Sequence, residues 1–545
     1  DAVARNFPQW EIMLEKLKAG EMPPEEAKRH PTPELRRTVV DWIQDFRRSE
    51  AARNAGDPGP VLARRLSNSE YDYTIRDLTG VDIRPTREFP VDPANEAGFD
   101  NSGESLAMSP ALLNKYLEAA RQVAGHVVLK PDGFVFAPHP ALTETDRDKY
   151  CVHRIVDFYQ RQPTNYVDYF TAAWRFQNRA ALGRPAATLA AFATEAKVSS
   201  NYLATIWTTL TGPREEAGPL ATLQAMWTEL PAATGKQDEA ARPGCERMRD
   251  LVVQLRQRLK PEFKNLALRG ISSGSQPLVL WKDGQYATNR QHYVRDGLKT
   301  PLPTAADSPD DQAFVPPADA ATRERFEAAL KRFCRIFPDA FYVSERGRIF
   351  LQKDEGDRGR LLSAGFHLMA GYFRDDAPLC NLILDEAGRR ELDGLWHELN
   401  FITLAPMRQY KDYIFFERAE PPRFAQGAEF DFARSEDKDV VSEAKLHKFA
   451  EVYLDEARRN GGAGAVIEAI EAYFKNISAE IRRVEQARLA AEPVHLEALQ
   501  TFAQRAYRRP LKPAERDDLA TFYHSLREKE GLDHEEAICD TVASV

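Results

Sequence analysis

At 545 residues, with 43% hydrophobic and 29% charged side chains, the chain is too long for one hydrophobic core and reads as an ordinary globular protein of several domains. Its formal net charge of -9 supplies no basic field for a phosphate backbone, so no nucleic-acid partner is expected. No apolar run approaches the roughly 18 residues that span a bilayer, so no transmembrane segment is expected either.

Residues 1–50 read as two helices around a proline-rich loop. Trp10, Met13, Leu14 and Leu17 recur at helical spacing, and Leu35, Val39, Trp42, Ile43 and Phe46 repeat the pattern. Gly20 ends the first helix. Thr32 caps the second, with Pro33 at its first position and Glu34 in its first turn. Between them Pro23, Pro24, Pro31 and Pro33 remove backbone donors and keep the chain extended, and the loop "GEMPP" carries Met22. The stretch "NAGDPGP" is a linker.

Residues 61–130 read as a helix pair spanned by a long polar loop. Ser67 and Glu70 form a capping box before Tyr71, Ile75 and Leu78, with Gly80 as the stop; Ser109 and Pro110 open the second helix, which bears Leu112, Leu113, Tyr116 and Leu117. Over 141–490 the segments "TNYVDYFTAAWRFQNRAAL" and "VSSNYLATIWTTLTG" read as aromatic-rich helices. "QPLVLW" and "AFYVSERGRIFL" read as strands, and a break is expected near 301–322. Residues 493–545 read as a helix, a P-L-K-P turn and a helix carrying Leu519, Phe522, Tyr523 and Leu526. The expected fold class is mainly α and multidomain, with a small mixed α/β region in the middle.

The five cysteines include no C-x-x-C, which excludes a local zinc knuckle, a thioredoxin-type pair and a haem-attachment motif, and their odd number argues against a full disulfide framework. In "VDPANEAGFDN", Asp92, Asp100 and Asn101, with Asn95, Glu96 and Glu104 nearby, could gather oxygen ligands around calcium, although the spacing is no EF-hand and these residues also build Asx turns. Asp375 and Asp376 in "GYFRDDAPL" invite comparison with an acid/base pair, but neighbouring acids diverge on a strand and sit about 100° apart on a helix, so a salt-bridged loop is favoured. The histidines form no H-E-x-x-H, and a structural or solvated role is expected of each. No G-x-S-x-G, Walker loop or G-x-G-x-x-G is present, and whether the chain is an enzyme stays open.

The run "WEIMLEKLKAGEMPP" followed by "RRTVVDWI" resembles the C-terminal half of the cytochrome c domain of planctomycete-type multidomain proteins. "RLSNSEYDYTIRDLTGVD" through "SPALLNKYLEAA" resembles the domain of unknown function that follows it there, and "FAQRAYRRPLKPAE" resembles the start of another, truncated here. The resemblance implies haem c as cofactor, Met22 as axial ligand to the haem iron, a redox partner protein or domain, and a periplasmic or otherwise extracytoplasmic location. The chain starts without an initiator methionine and ends abruptly at "TVASV", so a fragment is expected, with the haem-attachment motif upstream of Asp1. A second reading takes the chain as a polysaccharide-binding or hydrolytic module with Trp174, Trp207, Trp227, Trp281 and Trp396 as sugar platforms. A third takes it as a structural interaction protein.

Overall fold

The computed structural model describes residues 6–53, 55–56, 63–94, 105–215, 218–233, 240–261, 266–272, 275, 279–280, 290–305, 314–343, 372, 374–419, 421 and 423–545. They fall into two compact units, residues 1–71 with 88–115 and residues 72–87 with 116–545.

In the first unit, α1 (Phe7–Ala19) and α2 (Pro33–Arg53) form a helical hairpin. Gly20 closes α1 in the left-handed region at φ 80°, its amide reaching Leu17 O while the Glu21 amide reaches Lys16 O (3.0 Å). Thr32 Oγ1 accepts the Leu35 amide at the head of α2. Leu14 and Ile43 are buried, and Trp10 meets Trp42 edge-on at 5.6 Å while Trp42 stacks on Phe46 at 5.9 Å. The helix α3 (Asn68–Thr79) starts on the expected capping box. The Ser67 amide donates to Glu70 (2.8 Å) and the Glu70 amide to Ser67 Oγ (3.2 Å). Ser109 Oγ likewise accepts the Leu112 amide at the head of α4 (Pro110–Ala124).

The second unit carries a two-stranded antiparallel sheet, β1 (Val127–Lys130) and β2 (Gly133–Phe136), joined by a two-residue turn. There follow α5 (Glu144–Gln160), α6 (Tyr166–Gln177), α7 (Leu189–Ala196), α8 (Ser200–Thr211), α9 (Pro219–Thr228) and α10 (Arg242–Arg258). After them come α11 (Ala320–Ile336), α12 (Glu386–Thr403), α13 (Ala405–Ala419), α14 (Glu443–Arg459), α15 (Ala465–Ala506), α16 (Pro513–Glu528) and α17 (His534–Ser544).

The larger core gathers Tyr159, Tyr169, Phe170, Trp174, Tyr202 and Phe333 from α5, α6, α8 and α11, with Phe337 just past the end of α11. A second gathers Tyr410, Tyr413, Phe430, Phe449, Tyr453 and Phe474. The 42-residue α15 serves both, placing Ile470, Phe474, Ile477 and Ile481 in the second core and Ala491 and Leu499 in the first. No helix among the described residues is long and apolar enough to cross a membrane.

The chain is mainly helical, as its periodicity implies, and among the described residues the β structure lies outside the two expected strands. Val279 and Leu280 of "QPLVLW" are not extended, and Ala340–Val343 at the start of "AFYVSERGRIFL" is irregular, the rest of both segments lying outside the described residues. Among the described residues the sheet is instead "VVLKPDGFVF", where two apolar runs flank a Pro-Asp turn and a glycine that takes φ 137°. The helix α15 runs through Pro493 without ending. The missing Pro493 amide is tolerated because buried Ala491, His495 and Leu499 anchor the helix on both sides.

Candidate functional site

Met22 sits in the loop after α1, 37% exposed, with its thioether side chain accessible. The two helices that flank this loop leave apolar surface uncovered. Leu35, Val39 and Trp42, spaced four and three apart on one face of α2, are all exposed, as is Ile12 of α1.

Asp92 is already engaged. One oxygen accepts from Arg65 (2.5 Å) and the other from the Asn68 amide (2.6 Å), so its carboxylate caps the first turn of α3. Its expected companions Asp100 and Asn101, with Asn95, Glu96 and Glu104, lie outside the described residues. Among the described residues no group of three His, Cys, Asp or Glu side chains could hold a metal ion.

Asp375 and Asp376 enter two separate buried charge clusters. Arg290 grips Asp375 with two nitrogens, its Nε at 2.6 Å from Oδ1, and reaches Asp339 with a third at 3.0 Å. Arg256 adds a bond to Arg290 O (2.9 Å) and one to the Cys334 sulfur. Asp376 accepts from Tyr159 Oη (2.7 Å) and from Arg374 Nε (2.9 Å), and Arg374 also binds Asp393. Trp396 Nε1 donates to Tyr159 Oη (3.2 Å), and the Tyr159 ring stacks on Tyr342 at 4.7 Å.

The acids are salt-bridged, as favoured from sequence, but inside the protein rather than on an exposed loop. Divergence of neighbouring side chains sends them to different arginines, so they share no proton as a catalytic dyad would. Burial and the adjacent Asp376 hold the Tyr159 phenol far above its usual titration range, leaving it a permanent donor. Two arginines against two carboxylates balance the first cluster, whose chemistry is that of a lock. A polar cavity of about 410 Å3 opens beside it, lined by Tyr166, Arg256, Asp339 and Tyr342.

Glu417 is fully buried. Its oxygens accept from Ser272 Oγ (2.8 Å), the Ser272 amide (3.3 Å) and Tyr453 Oη (3.0 Å), and burial raises its pKa.

A further polar line crosses the C-terminal helices. His495 Nε2 is 2.7 Å from Lys130 O, His495 Nδ1 is 2.8 Å from His534 Nε2, and His534 Nδ1 is 2.7 Å from Tyr523 Oη. A carbonyl only accepts, so His495 carries its proton on Nε2 and accepts at Nδ1. His534 then donates from Nε2 and accepts from the Tyr523 hydroxyl. The neutral rings satisfy the line completely, and burial holds His534 down to about 4. Both histidines have the structural role expected of them. Their pairing across 39 positions has no signature in the sequence.

The thiols are poor nucleophiles. All five cysteines are free, and burial pushes Cys245, Cys334 and Cys380 up to about 11 and Cys539 to about 12. The tryptophans proposed as sugar platforms mostly face inward. Trp174, Trp227 and Trp396 are buried, Trp207 is half-buried against Phe176, and Trp281 lies outside the described residues.

Two stretches match known family models. Residues 64–129 match PSD3, a protein of unknown function (DUF1587), and residues 496–545 match PSD5, a protein of unknown function (DUF1595). Both are domains associated with planctomycete cytochrome c proteins. No curated protein and no solved structure matches the chain significantly.

Proposed function

We propose that the chain is part of an extracytoplasmic, multidomain, cytochrome c-associated protein, in which Met22 is an axial ligand to haem iron and the haem exchanges electrons with a partner protein or domain. The observation that carries this reading is the pairing of the two cytochrome-associated domain matches with the helical hairpin, whose connecting loop carries the exposed Met22 and whose second helix carries an uncovered apolar stripe.

The residues present suit such a group. A thioether is a soft ligand that raises the potential of haem iron relative to a second histidine. Leu35, Val39 and Trp42 offer the low-dielectric wall that a porphyrin face requires, while Gly20 and the prolines fix the loop that carries the sulfur. The covalent attachment motif and proximal histidine would come from outside this chain, and haem attachment outside the cytoplasm places the protein there.

The test is an absorption spectrum of the intact gene product, made with the haem-attachment machinery, oxidised and reduced, beside Met22→Ala. Sharp low-spin c-type bands with a lowered potential or altered spin state in the variant are expected. A product without haem, or a variant with unchanged spectrum and potential, removes the assignment.

A further inference from the structure

The hairpin β1–β2 has one edge that no hydrogen bond reaches among the described residues. The Ala137 amide donates to His126 O at 2.7 Å, which continues the register Val128↔Val135 and Lys130↔Gly133 by two residues. In an antiparallel ladder the hydrogen-bonded pairs alternate with the others, so 126/137, 128/135 and 130/133 face each other. The amides and carbonyls of Phe134 and Phe136 therefore point away from β1. Among the described residues no hydrogen bond reaches them.

Phe134, Val135 and Phe136 of β2 line a groove of about 580 Å3 in the second unit, together with Leu78–Val81 and residues of α15. Its floor is apolar, Phe134 and Phe136 meeting Phe502 at 6.0 and 5.6 Å. Natural sheets blunt a free edge with lysine, proline or a bulge, whereas Gly133–Phe136 carries none of these. Backbone donors and acceptors at strand spacing are matched only by another extended backbone.

The groove is also polarised. A Cβ on Gly133 would lie 3.4 Å from Ala498 Cβ, and Phe136 lies against Phe502, so β2 and α15 run in the same direction. Asp132 and Glu497 mark the end where β2 begins, and Arg505 marks the other. Glu497 and Arg505 are eight residues apart, about 12 Å along the helix, close to four steps of an extended strand at roughly 3.4 Å each. Arg505 gives one bond to Asp77 O (2.9 Å), and its guanidinium has further donors to offer.

We propose that the outer edge of β2 binds an extended peptide as a third, antiparallel strand, with an acidic side chain near its amino end against Arg505 and a basic one four residues later against Asp132 and Glu497. An apolar side chain between them sits on the phenylalanine floor.

The test uses the full chain and the blocked pentapeptide Ac-ETVTK-NH2, fluorescently labelled and titrated by anisotropy to about 1 mM. Saturable binding is expected, weakened about fivefold or more in the charge-swapped Ac-KTVTE-NH2. N-methylation of the peptide amides that face β2 should abolish binding, while methylation of the alternate amides leaves it within about twofold, because alternate groups point to opposite edges. Thr501→Trp, which fills the groove from an exposed helix position, should also abolish binding with the circular dichroism spectrum unchanged. Absence of binding by the parent peptide, equal effects of the two methylation patterns, tighter binding of the charge-swapped peptide, or unimpaired binding by a folded Thr501→Trp chain would each overturn the proposal.

Discussion

His495 and His534 set the acid response of the second unit. In the folded chain burial pushes both imidazoles below their usual value of 6.5, His534 to about 4. The unfolded chain therefore binds more protons between those limits. Stability from the pair is complete above about 6.5 and is lost as pH falls below it, for His534 down toward 4 at up to about 1.4 kcal/mol per unit, with His495 adding in the same direction. Urea midpoints taken at pH 7.5, 6 and 5 should fall in that order, and His534→Gln should flatten the slope while lowering the value at pH 7.5. At the charge cluster, Asp375→Ala leaves Arg290 with Asp339 but removes its two-nitrogen grip on Asp375 and should cost about 3 kcal/mol. The double change Asp375→Leu with Arg290→Met should recover part of that loss. A double variant less stable than Asp375→Ala would show that Arg290 works chiefly through Asp339. Neither cluster could be assembled by reading the sequence. "RDD" showed that the two acids diverge, but Arg290 and Tyr159 lie 85 and 217 positions away from them.

The helices were legible because their signals are local. Ser67, Thr32, Ser109 and Gly20 each act within a few residues of where they stand, and each cap or stop forms as its residue type requires. Ser67→Ala should cost about 1 kcal/mol by chemical denaturation. The described parts of the two expected middle strands, Val279–Leu280 and Ala340–Val343, are not extended, because a short apolar run suits a buried helix or an irregular core segment as well as a strand. The true hairpin had a usable signal in its turn, "KPDG" between "VVL" and "FVF". At Pro493 a local rule was overridden by packing. The proline is exposed on α15 and still costs the helix a donor, so Pro493→Ala should stabilise the fold by about 1–3 kcal/mol, visible as a raised melting temperature. A lowered melting temperature would show that the local bend it imposes is needed to seat Ala491 and Leu499.

At the scale of the whole molecule the described residues build two large apolar cores, and the five cysteines form no disulfide. Cys151, Cys245 and Cys334 are buried, and the thiols with values near 11 and 12 hold little thiolate at neutral pH. Titration with a thiol reagent at pH 7.5 should find these three unreactive on the timescale of minutes and all five reactive in denaturant. A reducing agent should leave the melting temperature unchanged.

The sequence showed no apolar run long enough to span a membrane and no net basic charge, periodicity located the helices, and capping residues set several of their ends, because each of these can be read along the chain. The partners of Asp375, the line from Lys130 through His495 and His534 to Tyr523, and the open edge of β2 were decided only by tertiary structure. A buried charge, a ring nitrogen or a strand edge takes its meaning from groups brought to it by folding, and no spacing along the chain records which groups those will be.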